Sequence, residues 1–103
     1  MPRLAFVTKI VAKPGQRDAL KRLNLEICSE SRREPGTLVY VMSQSKANPD
    51  EFWYFDVYAD QQALEAHCAS AVYRDMIEKL PGLAAEIQGT PLEPFAAVGF
   101  ETD

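Results

Sequence analysis

A chain of 103 residues holds one domain around one hydrophobic core, because it is too short to enclose two. Its composition, 47% hydrophobic and 25% charged, is that of an ordinary soluble globular protein, and a formal charge of −4 with dispersed Lys and Arg argues against a nucleic-acid partner. No apolar run approaches the ~18 residues of a membrane span, and MPRLAFVTKIVAK has too short an apolar stretch and too early a lysine for a signal peptide, so a cytoplasmic location is expected.

LAFVTKIVA (4–12) is rich in β-branched and aromatic residues and stops at Pro14 and Gly15, which predicts a strand and a turn. From Gln16 to about Glu34, Leu20, Leu23 and Ile27 recur at helical spacing until Pro35 and Gly36 end the pattern. Arg32 and Arg33, flanked by Glu30 and Glu34, read as a solvated helix end. TLVYVMSQ (37–44) and EFWYFDVY (51–58), separated by the polar SKANPD, predict an antiparallel hairpin. ADQQALEAHC (59–68) opens on Asp60 as an N-cap and sets Ala63, Leu64, His67 and Cys68 on one helical face. A break near Ser70 leads to a second helical piece, VYRDMIEKL, closed by Pro81 and Gly82. EPFAAVGF (93–100) is expected to supply the last strand.

Strand, helix, strand, strand, helix, strand, joined by right-handed crossovers, gives an α+β fold: a ferredoxin-like βαββαβ unit whose four-stranded antiparallel sheet carries its helices on one face. In the third strand Phe52, Tyr54, Asp56 and Tyr58 point one way, and Trp53, Phe55 and Val57 the other. The second strand likewise divides Leu38, Tyr40 and Met42 from Val39 and Val41. Both faces are apolar and the helices cover only one, so a homodimer through the Trp53, Phe55 and Val57 face is expected. Cys28 and Cys68 read as buried reduced thiols. Two cysteines and the single histidine match no zinc-site spacing, so no metal is expected.

KPGQRDAL after the first strand, EPGTLVY into the second, EFWYFDVYADQQALEAH across the third strand and second helix, and the following CASAVY together resemble the antibiotic biosynthesis monooxygenase family over residues 4–76. The resemblance implies a dimeric α+β barrel. It also implies one of several activities: cofactor-free oxidation of phenols or quinols, haem degradation, or processing of a phosphorylated sugar derivative. The family's motif after the second helix is kept at His67, Ser70 and Tyr73, while Ala71 and Val72 stand where proline and a second histidine are frequent. Asp56 replaces a frequent glutamate, one methylene shorter in reach. The haem degraders' strand-1 asparagine and second histidine are missing, and Trp53 lies opposite Asp56, which speaks against haem.

Oxidation without a cofactor requires a base, donors for a developing anion, and a dry pocket. His67 is the one side chain with an unperturbed pKa near neutrality. If the Asp56 face lies beneath the helices, Asp56 would fix the His67 tautomer, Tyr54 and Tyr58 would hold an aromatic substrate, and Tyr73 would close the pocket. The expected function is thus a cofactor-independent monooxygenase acting on a phenolic or quinol-type substrate with dioxygen. Two other readings stay open: an isomerase or degradative enzyme for a small polar carbonyl compound, and a non-enzymatic ligand-binding dimer.

Overall fold

In the computed structural model, which describes residues 2–103, the chain order is β1 (Leu4–Ala12), α1 (Arg17–Ser31), β2 (Thr37–Gln44), β3 (Glu51–Tyr58), α2 (Gln61–Ala69), α3 (Ala71–Leu83) and β4 (Ala84–Leu92). The strands form one antiparallel sheet in the order β2-β3-β1-β4. This is the ferredoxin-like arrangement expected from the alternation of 2-residue and 3.6-residue periodicities.

Side chains alternate across the sheet, and cross-strand register keeps like with like. Thr8 stands opposite Tyr54 and Phe6 opposite Asp56, all facing the helices, whereas Lys9 pairs with Trp53 and Val7 with Phe55 on the open face. β2 departs from this regularity. Its pairing with β3 shifts between Thr37 and Val39, so Thr37 stands opposite Tyr58 and Leu38 is the extra, unpaired residue. A one-residue shift exchanges faces, so the bulge turns Thr37 to the helix side, where its Oγ1 donates to Glu34 Oε1 at 2.8 Å.

Helix α1 buries the stripe of Leu20, Leu23 and Ile27 and packs onto a core that includes Ile10, Phe52, Tyr54 and Leu80. Each such aliphatic side chain contributes about 1.5–3 kcal/mol by leaving water. The helix ends at Ser31, three residues short of the expected Glu34. Glu34 therefore lies in a turn, with its C=O accepting from Thr37 N at 3.1 Å.

The last strand is β4, at Ala84–Leu92, and not at 93–100 as its composition suggests. Helix α3 does not stop before Pro81 but runs through it to Leu83. Lys13 binds that final turn, its N–H donating to Leu83 O and its ammonium to Pro81 O, both at 2.8 Å. The strand then starts at once and pairs along β1. As an edge strand β4 tolerates Pro91 and needs few apolar residues, which is why its composition is quiet. Residues 93–100 pair with no strand among the described residues, and Phe95 and Val98 are fully exposed there.

The open sheet face exposes Val41, Trp53 and Phe55. Val57, expected to share that row, is already buried within the chain at 0% exposure. Among the described residues, no helix is long and apolar enough to cross a membrane.

Candidate active site

A cavity of about 340 Å³ lies between the sheet and helices α2 and α3. His67, Asp56, Tyr54, Tyr58 and Tyr73 all stand on its wall, so the fold gathers the five sequence-selected residues in one place. Each is aimed there by local structure. Tyr54, Asp56 and Tyr58 share the helix-side face of β3 by their period of two. His67 is carried by α2, which Asp60 opens as expected, its Oδ1 accepting from Ala63 N at 2.9 Å. Ser70 then both ends α2 and starts α3. Its hydroxyl donates to His67 O at 2.9 Å and accepts from Tyr73 N at 3.2 Å, so one side chain fixes the spacing between imidazole and phenol.

His67 is 1% exposed and is boxed by Tyr40, Tyr58 and Tyr73, with ring centroids at 5.4, 5.2 and 5.2 Å. Its Nδ1 lies 2.8 Å from Glu34 Oε1. A carboxylate is only an acceptor, so the hydrogen bond places a ring proton on Nδ1, and in the neutral ring Nε2 is the acceptor. Nε2 is buried and has no partner among the described residues. His67 itself is among the residues that line the cavity, and an imidazole nitrogen without a protein partner beside such a space is a candidate proton acceptor.

This corrects one expectation. The carboxylate that fixes the His67 tautomer is Glu34, not Asp56. Asp56 Oδ2 instead accepts from the Tyr58 hydroxyl at 2.6 Å. Burial pushes the Asp56 carboxyl above its ordinary range, with the Tyr58 hydrogen bond and the nearby imidazole opposing that shift. In the sequence, Glu34, a glutamate beside two arginines and a turn, looks solvated. It turns inward because Gly36 lets the loop press against α2: a Cβ at Gly36 would overlap the Ala63 Cβ, one turn before His67. A glycine two residues after an acidic residue is a common turn signal, and nothing in the sequence ties it to a helix thirty residues away.

Tyr40, on β2, also lines the cavity, although its place in an apolar strand looks like core from the sequence. Burial raises all four phenols: Tyr54 and Tyr73 to about 12, and Tyr40 and Tyr58 further, with Asp56 adding to the shift of both. They remain hydrogen-bond donors at neutral pH. Asn24 on α1 steadies one of them, its Nδ2 donating to the Tyr54 hydroxyl at 2.6 Å. Val72, at the position where the family motif has a second histidine, lines a surface groove between α1 and α3 and not this cavity. Among the described residues no group of three or more His, Cys, Asp or Glu is placed to hold a metal ion, and Cys28 and Cys68 are free thiols.

The ferredoxin-like sheet with a cavity beneath its helices defines a class of small α+β proteins, and comparison with known proteins places the chain within it. The model of the antibiotic biosynthesis monooxygenase family matches residues 4–79, and the chain belongs to that family. Among solved structures it is similar to PA3566 of Pseudomonas aeruginosa, with a TM-score of 0.87 and 25% identity over 93% of this chain and 97% of that one. It is also similar to a Chloroflexus aurantiacus protein whose name proposes it as an antibiotic biosynthesis monooxygenase, with a TM-score of 0.81 and 28% identity over 94% and 97% of the two chains. An uncharacterized protein of Synechocystis is 27% identical over 77 residues, covering 75% of this chain and 52% of that relative, so the chain spans about half its length. These likenesses agree on the fold and on the family.

Proposed function

We propose that the protein is a cofactor-independent monooxygenase for phenolic or quinol-type substrates. The observation that carries this reading is the placement of His67: Nδ1 tied to a carboxylate, Nε2 without a partner among the described residues, and the residue lining a cavity large enough for a two-ring aromatic. Nε2 takes the proton of a substrate hydroxyl. The resulting imidazolium is stabilised by Glu34. The substrate anion, now electron-rich, passes one electron to dioxygen, and the radical pair combines at ring carbon to form a C–O bond. Loss of the carbon-bound hydrogen as a proton and cleavage of the O–O bond release water and leave a quinone. In sum, a phenol and O2 give a quinone and water, the substrate supplying all four electrons, so no cofactor is required. The phenol groups of Tyr54 and Tyr73 serve as donors to the oxyanion, and Asp56 with Tyr58 borders the same space.

The partner in assembly is a second copy. The exposed row of Val41, Trp53 and Phe55 is an apolar face on a sheet whose other side is covered, and packing two such faces removes both from water. A cytoplasmic location accords with the two free thiols.

Oxygen uptake with a reduced naphthoquinol tests the enzymatic reading. The expected result is uptake above the spontaneous rate that falls by about 10²–10⁴ in His67→Ala. A wild-type protein that binds the quinol but consumes no oxygen would identify the chain as a binding module.

A further inference from the structure

We propose that the cavity selects an uncharged phenol or quinol, seated with its hydroxyl toward His67 and its apolar body toward a mouth formed by Ile77 and Ile87. The identity of the bound ring as an oxidisable one rests on the monooxygenase reading; the selection against charge rests on the wall itself.

Among the described residues no lysine or arginine lines the cavity. The fixed charges it meets are acidic: Asp56 on the wall, and Glu34 directly behind the imidazole. Arg74, one residue beyond Tyr73, is exposed and absent from the wall. A sulfonate, phosphate or carboxylate entering this space would lose its water and find no cation to replace it. Polar groups are also unevenly placed. His67, Asp56 and the phenols of Tyr40 and Tyr58 lie where β2 and β3 meet α2, with further hydroxyls from Thr8 on β1 and Tyr73 at the start of α3, while the rest of the α3 stripe is Met76, Ile77 and Leu80. Ile77 on α3 and Ile87 on edge strand β4 line the cavity, yet are 48% and 51% exposed, so they lie at its opening. A ligand that buries a hydroxyl against His67 therefore leaves its far end between two isoleucines. An apolar substituent there is favoured, and an anionic one is not.

The test is anaerobic isothermal titration of the full chain with 1-naphthol, and with 1-naphthol bearing a sulfonate on the ring remote from the hydroxyl. The neutral ligand is expected to bind at least about tenfold more tightly. Ile77→Lys, a change at a half-exposed position, should narrow that ratio by about threefold or more by supplying a cation at the mouth. Equal or tighter binding of the sulfonate, no binding of either ligand, or a ratio unmoved by Ile77→Lys would overturn the proposal. Its fate separates from that of the oxygenase reading: charge discrimination without oxygen uptake sustains the selection and refutes the chemistry, and uptake without discrimination does the reverse.

Discussion

The two nitrogens of the His67 ring differ, Nδ1 meeting Glu34 and Nε2 having no partner among the described residues, and that difference decides what the side chain can do. Replacing Glu34 with Gln keeps an acceptor beside Nδ1 but removes the charge that stabilises the imidazolium. Steady-state kinetics should show kcat lowered by about tenfold to a hundredfold with KM little changed; an equal loss in KM alone would assign Glu34 to substrate binding. Asp56 invites a different measurement. Its carboxyl is raised by burial, so the folded state favours the protonated form, and this preference adds stability at low pH that is lost as pH rises through the folded-state pKa. Asp56→Asn imitates the protonated carboxyl. Thermal melts should show the variant stabilised relative to wild type at neutral pH, with the gain disappearing below the ordinary carboxylate range of ~4. His67 and its phenolic surroundings were legible in the sequence because the residue types are few and the strand period sorts them. Glu34 was not, since its role comes from a loop approaching a helix from far along the chain.

At the level of elements, Gly36 is the position where packing leaves no choice. Gly36→Ala should push the loop off α2, costing about 1–3 kcal/mol in urea unfolding and lowering activity through Glu34. A variant with unchanged stability and activity would show that the loop can yield freely. The hairpin, the Asp60 cap and the break at Ser70 were each announced by turn and cap residues. β4 was concealed for the opposite reason. An edge strand with one neighbour and a solvated surface carries little apolar signal, whereas EPFAAVGF carries a strong one and pairs with nothing among the described residues. The bulge in β2 was equally silent, although it alone turns the Thr37 hydroxyl to Glu34.

For the molecule as a whole, the open sheet face predicts self-association. Trp53→Glu should convert a dimer to a monomer in sedimentation, while a wild-type monomer at micromolar concentration would dismiss the sheet-to-sheet interface. The buried phenols also set an alkaline limit: unfolded tyrosines ionise near 10, and Tyr54 and Tyr73 in the folded chain only near 12. Raised pKa values give stability that is complete below the unfolded value and is lost as pH climbs through the folded one. Unfolding followed by circular dichroism should therefore coincide with phenolate absorbance across that interval. The most direct single measurement is oxygen uptake by wild type and His67→Ala with a neutral naphthoquinol, corrected for spontaneous oxidation. Uptake by the wild type, stoichiometric with quinone formed and abolished by the substitution in a protein that still folds, is the predicted result; equal rates for the two proteins would contradict the assignment of His67 as the base.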